Sequence, residues 1–353
     1  MSAGLCANCT EKAATSKCSR CLRVVYCTKL CQEKHWPCHK KLCKTPDVVK
    51  PRNMRLFDAS LDGDVTAVAA LIAEGGDVNW AHPKNRNTPL ISASAEGHLS
   101  VVNALIAARA VVDRVNVEGF TALMAAAQNG HEAAVDALHR AAGASVHHVN
   151  NQGVTALHMA AHEGYVGVVR CLLRAGAHPN VISSDGQGAT PIILASDEGH
   201  PAVVEALIEA SANVNHSRPD GATSLLLAAQ EEHVEIVRAL LAAGANANHS
   251  RPDGVTSLMM AAQKGHIAIV RALLAAGAKT NHSRPDGVTS LMMAAQKGYI
   301  EIVRALLAGN ADPRIIASNG ATALSVAKTM NHTAIVALLE ARLATPAPAA
   351  GSA

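Results

Sequence analysis

The stretch Thr256-Ser257-Leu258-Met259-Met260-Ala261-Ala262-Gln263-Lys264-Gly265-His266-Ile267-Ala268-Ile269-Val270-Arg271-Ala272-Leu273-Leu274 decides the fold, because it returns almost unchanged from Thr289. Working outward, Thr88, Thr121, Thr155, Thr190, Thr223, Thr256, Thr289 and Thr322 each open a Thr-x-Leu/Ile-x-x-Ala unit, at intervals of 33, 34, 35, 33, 33, 33 and 33 residues. The unit from Thr322 is looser, with Ser325 where the others carry a larger side chain. Met54-Arg55-Leu56-Phe57-Asp58-Ala59 reads as an eroded first copy. Nine residues after most anchors stands a glycine (Gly63, Gly97, Gly130, Gly164, Gly199, Gly265, Gly298), often followed by His or Tyr. An aliphatic segment follows, then a Gly-Ala-x-x-Asn step such as Gly277 to Asn281.

Each unit predicts two short helices and a turn. The threonine caps the first helix, the glycine closes it, and the second helix is amphipathic. One such unit cannot bury its apolar face alone, whereas stacked units can. The period and motifs resemble ankyrin repeats over roughly residues 52–343, about nine of them. The expected fold is mainly α: a repeat solenoid preceded by a small metal-held module. That family favours His after the Leu of the first motif. Only His158 keeps it here; Ile91, Met124, Ile193, Leu226, Met259, Met292 and Ser325 replace it, so those units are expected to rely on apolar packing.

The N-terminal module is read from cysteines. Eight of the nine lie in the first 43 residues, as Cys6-x2-Cys9, Cys18-x2-Cys21, Cys27-x3-Cys31 and His39-x3-Cys43, with Cys38 extra. Four close pairs supply eight donors, enough for two tetrahedral zinc ions. Three-residue gaps place Cys27 with Cys31, and His39 with Cys43, on one face of a helical turn. Disulfides would require a secreted context and leave His39 unexplained. Cys38 is out of phase with Cys43 and reads as a thiol outside the ligand set. A module this small has little core, so the metal should supply most of its folding energy.

Spacing alone leaves open which pairs share an ion. The order of pairs, the step Val25-Tyr26-Cys27 and the stretch Cys31-Gln32-Glu33-Lys34-His35-Trp36-Pro37-Cys38-His39-Lys40-Lys41-Leu42-Cys43 resemble a MYND zinc finger. A RING finger differs in placing its histidine in the second pair. The resemblance implies interleaved sites, Cys6, Cys9, Cys27 and Cys31 on one ion and Cys18, Cys21, His39 and Cys43 on the other. It also implies a groove for short Pro- and Leu-containing peptides at Gln32 and Trp36, whose i, i+4 spacing gives one helix face. A Trp36 that only covers the small core is the competing reading.

Composition narrows the function classes. Aromatics are 2 % of the chain and net charge is +3. Residues 1–50 hold ten Lys/Arg against Glu11, Glu33 and Asp47, while the remainder has 21 basic against 25 acidic residues. The basic head is expected to offset zinc thiolate charge; no helix pattern suits a DNA groove, so nucleic acid is not an expected partner. No apolar run is long enough for a membrane span. Cys6 and Cys9 arrive before any secretory signal could form, so the expected location is intracellular, in cytoplasm or nucleus. Residues 344–353 read as a disordered tail, giving boundaries of 1–48, 52–343 and 344–353.

We find no catalytic triad pattern, phosphate loop or dinucleotide fingerprint, and each zinc site closes on four protein ligands. The reading is a non-enzymatic adaptor with no small-molecule substrate: the array holds a protein and the finger a short peptide. A ubiquitin-ligase component and a chromatin-associated corepressor-type factor are the alternatives.

Three turns are near-identical, Asn215 to Gly221, Asn248 to Gly254 and Asn281 to Gly287. Stacking them sets Arg218, Arg251 and Arg284 in a row at about 10 Å steps, able to grip an acidic or phosphorylated partner or merely copied by duplication. His216, His249 and His282 form a parallel row, spaced too far apart to share a zinc ion. Positions seven and eight after each anchor, which face the concave side in ankyrin proteins, run from acidic in the middle to basic near the C-terminal end.

Overall fold

The computed structural model describes residues 51–344 and, nearer the N-terminus, Ser16–Lys17 and Val25–Tyr26. The zinc-ligand candidates, Gln32, Trp36 and residues 345–353 lie outside the described residues. β1 (Ser16–Lys17) pairs antiparallel with β2 (Val25–Tyr26), Ser16 opposite Tyr26 and Lys17 opposite Val25.

Eighteen helices follow among the described residues, in nine consecutive pairs. They are α1 (Arg52–Leu61) with α2 (Val65–Ala73), α3 (Pro89–Ala95) with α4 (Leu99–Ala107), α5 (Ala122–Gln128) with α6 (Glu132–Ala142), and α7 (Ala156–His162) with α8 (Val166–Arg174). Then come α9 (Pro191–Asp197) with α10 (Pro201–Glu209), α11 (Ser224–Gln230) with α12 (Val234–Ala242), and α13 (Ser257–Lys264) with α14 (Ile267–Ala275). The last are α15 (Ser290–Lys297) with α16 (Ile300–Ala308) and α17 (Ala323–Thr329) with α18 (Thr333–Ala344). First helices pack on first helices of neighbouring pairs and second helices on second helices. One apolar cluster therefore runs from Leu56 to Leu339. The residues standing where His is favoured, Ile91, Met124, Ile193, Leu226, Met259 and Met292, are buried in it or beside it.

The anchors do the capping that their residue type suggests. Thr88, Thr121, Thr223, Thr256, Thr289 and Thr322 are extended, and each hydroxyl accepts from the backbone N–H three residues on, at 3.1–3.4 Å. Thr190 departs: its buried hydroxyl has no hydrogen-bond partner among the described residues.

Each unit is locked to the next at the closing glycine. Gly63 and Gly130 have φ of 77° and 78°, and a methyl group on either would stand 2.7 Å from a ring, His98 in one case and Tyr165 in the other. The ring belongs to the next unit and needs the bare backbone. The histidines then reach back: Nε2 donates to a carbonyl at the end of the preceding first helix, His98 to Leu61 at 3.0 Å, His131 to Ala95 at 2.9 Å and His200 to His162 at 2.8 Å. His233, His266 and His332 do the same to Asp197, Gln230 and Gln296 at 3.1–3.2 Å. These bonds satisfy carbonyls that a helix end leaves without internal partners.

A second chain of bonds joins the turns. Asn180, Asn215, Asn248 and Asn281 each accept, through Oδ1, the backbone N–H of the next unit's equivalent segment at 2.6–2.7 Å. Their Nδ2 groups donate to carbonyls of that unit at 3.1–3.4 Å. His158 provides a third link: its Nε2 donates to the Ala189 carbonyl at 3.2 Å and its Nδ1 accepts from the Thr155 N–H at 3.2 Å.

Two expected outcomes follow from these junctions. Glu232 occupies a closing position that lacks its glycine and holds φ at 66°, so Glu232→Gly should raise stability by about 1 kcal/mol, whereas Gly130→Ala should lower it by about 2 kcal/mol; urea denaturation of both variants measures the difference. Burial holds the His158 pKa below its ordinary value, against the opposing hydrogen bond to Ala189. The unfolded chain thus binds a proton at its ordinary pKa that the folded chain refuses, so this residue's contribution is whole above about pH 6.5 and declines below it. Replacing it by the methionine used at equivalent positions (His158→Met) should flatten the decline of the denaturation midpoint between neutral and mildly acidic pH.

Candidate interaction surface of the repeat array

The residues left over from these junctions define what the array can offer a partner. In the three near-identical turns the backbone closes tightly: the N–H of Gly221 donates to the Arg218 carbonyl at 2.8 Å, and Gly254 and Gly287 repeat the bond to Arg251 and Arg284. Asp220, Asp253 and Asp286 use one carboxylate oxygen to accept the backbone N–H two residues on. The other oxygen faces the arginine of the same turn, at 3.5 Å for Arg218, 3.5 Å for Arg251 and 3.2 Å for Arg284. The arginine row is therefore a row of ion pairs. It is partly covered, with side-chain exposure rising from 22 % at Arg218 to 37 % at Arg284, and its Nε atoms are buried without a hydrogen-bond partner among the described residues. His216, His249 and His282 serve the stack: each Nε2 donates to the Gly188, Gly221 or Gly254 carbonyl of the preceding turn at 3.0–3.2 Å.

A second row lies at the C-terminal ends of the first helices. Glu96, Glu163, Glu198 and Glu231 cap α3, α7, α9 and α11, Asn129 caps α5, and Lys264 and Lys297 end α13 and α15. All seven are exposed. Neighbours along the row sense one another. The His162 ring lies 3.2 Å from Glu163 and 3.5 Å from Glu198. The carboxyl pKa of Asp197, one residue before Glu198, is raised by burial and then by the charges of Glu198 and Glu231, against the opposing pull of Arg218 and His233. The Arg218 turn thus lies close enough to the acidic stretch to act on it electrostatically.

The second helices offer less. A notch of about 570 Å³ at Gly167 is walled by Arg170, Arg174, Glu132 and Glu209, but these are already opposed, Arg174 to Glu132 at 4.0 Å and Arg170 to Glu209 at 3.7 Å. Cys171 is buried, and burial followed by the Asp136 carboxylate 3.8 Å from its sulfur pushes the thiol pKa up, which suits packing and not nucleophilic chemistry.

The inter-unit histidine and asparagine bonds are the polar residues whose role the pattern alone did not disclose. Their signal was present: His or Tyr directly after the closing glycine, and Asn at a fixed offset after Gly-Ala. Among the described residues no three or more His, Cys, Asp or Glu side chains gather where they could hold a metal. No helix there is long and apolar enough to cross a membrane.

Comparison with known families agrees with this geometry. A family model for ankyrin repeats, built of three copies, matches residues 56–147, 129–218, 210–284 and 258–343. These overlapping spans do not themselves count the units; the described residues form nine helix pairs. A MYND finger model matches residues 6–43. The chain therefore belongs to the ankyrin-repeat family and carries a zinc-binding MYND finger ahead of its repeats.

Proposed function

We propose that the protein is a non-enzymatic adaptor that joins two protein partners, one on the repeat array and one on the finger. The observation that carries this reading is the pairing of two interaction modules in one chain, combined with the surface the repeats present. The array consumes its in-phase His, Asn and Thr side chains in holding units together. It leaves an exposed residue at the end of each first helix, one per unit and regularly spaced, which is a surface suited to a long polypeptide contact.

In the finger, seven thiolates and one imidazole form a donor set that suits zinc: soft sulfur and borderline nitrogen, two ions, four ligands each. Cys6, Cys9, Cys27 and Cys31 would hold one ion and Cys18, Cys21, His39 and Cys43 the other. The zinc supplies folding energy to a module too small to fold on its core. Gln32 and Trp36 would form the groove for a Pro/Leu-containing peptide, the indole offering a flat apolar face to proline. In the array, Arg218, Arg251 and Arg284 would contribute to an acidic or phosphorylated partner only by exchanging their in-turn aspartates for the partner's groups. A ligand set of reduced thiols supports a location inside the cell, in cytoplasm or nucleus.

Elemental analysis of the full chain should give two zinc ions, with Cys27→Ala leaving about one, as expected for two independent four-ligand sites. A labelled Pro/Leu peptide should bind the full chain and lose about tenfold in affinity on Trp36→Ala; absence of zinc in protein prepared without chelator would overturn the finger assignment. For the array, peptides selected from a random library on the full chain should include some whose binding survives Trp36→Ala.

A further inference from the structure

The row at the ends of the first helices departs from local electrostatic logic in a directional way. The C-terminus of a helix is the negative end of its dipole and favours cations. Lys264 and Lys297 obey this on α13 and α15. Glu96, Glu163, Glu198 and Glu231 violate it on α3, α7, α9 and α11. Natural sequences keep such violations chiefly where function requires them. The violations are contiguous from α7 to α11, and the charge changes sign between Glu231 and Lys264.

The compensation inside the chain is incomplete. His162 faces Glu163 and Glu198, and Gln230 donates to Glu231 at 2.8 Å. Neither Lys264 nor Lys297 has an ion-pair partner among the described residues. Consecutive members are about one helix-packing distance apart, close to 10 Å, which is comparable to the screening length at physiological salt. Each charge therefore meets its own stretch of ligand, and the row reads as a sequence of signs, not as one net charge.

We propose that this row docks an extended, charge-polarised polypeptide segment, basic over Glu163, Glu198 and Glu231 and acidic over Lys264 and Lys297. The inference rests on the array being a protein-docking surface and adds the chemistry of the occupant. Complementary charge fixes the register: a slip by two units sets lysine against lysine or glutamate against glutamate, and like-charge juxtaposition rejects wrong partners. From Glu163 to Lys297 the row crosses four inter-unit steps, so an extended segment of about 12–14 residues spans it. Arg218, already in its ion pair with Asp220, acts electrostatically on Asp197 beside Glu198 and partly offsets the acidic half.

The test uses the full chain and two labelled synthetic peptides of identical composition, about 14 residues long. One carries its lysines in one half and its glutamates in the other; the second alternates them. Fluorescence anisotropy at physiological salt should show the two-block peptide bound about tenfold more tightly than the alternating isomer. The exposed double variants Glu198→Lys/Glu231→Lys and Lys264→Glu/Lys297→Glu should each remove that preference with unchanged circular dichroism, while the denaturation midpoint rises slightly in the first and falls slightly in the second, as the helix dipole requires. Equal binding of the two peptides, or a preference indifferent to both double variants, overturns the proposal. Library-selected peptides that bind the array with no charge polarity, and are indifferent to both variants, overturn it while leaving the docking reading intact. Failure of every selected peptide to bind the array removes the docking reading itself.

Discussion

The whole array depends on a contact between units: a ring of one unit laid on the bare glycine of the preceding one. A pair of short helices, most first members seven residues long, has too few internal hydrogen bonds to stand alone. Its stability comes from stacking, and stacking requires close backbone approach at the closing turn. Glycine permits that approach twice over, by taking a left-handed φ and by having no Cβ to strike the ring. The histidine then converts proximity into register by donating to a carbonyl that the preceding helix cannot satisfy. Apolar burial drives the units together, and the ring–glycine contact with its hydrogen bond decides how far they turn and slide.

That division explains several repeated polar residues without invoking a ligand. The parallel row of His216, His249 and His282 is a set of stacking bonds to glycine carbonyls. The asparagines after Gly-Ala bridge the same interface in both directions, accepting and donating. Even the arginine row is partly built into the turns, each guanidinium opposed by the aspartate two residues on. Repetition by itself is thus ambiguous between binding and stacking; the partner of each polar atom separates the two.

The architecture was legible because it is carried by spacing. Eight threonines in phase, glycine nine residues on and an aliphatic second segment predict helix, stop and helix, and the structure follows that order unit by unit. What remained hidden were the partners of the histidines. His98 and Leu61 are 37 residues apart, and nothing local to either says that they meet. The apolar substitutions at the position where ankyrin proteins favour His suggested units short of polar links, yet the links are supplied elsewhere, by the histidine after the glycine and by the asparagine chain. Glu232 was visible only as a missing glycine. Its backbone keeps the left-handed conformation anyway, and its carboxylate lies 3.4 Å from the His266 ring, so the junction survives with a side chain where its neighbours have none.

The unit from Thr223 and the unit from Thr256 differ at only eight of 33 positions, which allows residues to be sorted by what the junction tolerates. The threonine cap, the ring histidine, the stacking histidine and the Arg-Pro-Asp-Gly turn are identical in both. Among the changes are Leu226 to Met259 and Leu227 to Met260, volume-conserving swaps that a core accepts at small cost. The change from Glu231 to Lys264 is of another kind. It reverses a full charge at an exposed helix end where packing imposes nothing, and it falls where the row changes sign. Stacking constrains the helix dipole, which favours lysine there, but supplies no reason for glutamate on four of the earlier helices. An exposed position that defies the local rule over one contiguous run of units and obeys it over the next is governed by something outside the fold, and along this row the surface itself specifies the sign of the charge that something must carry.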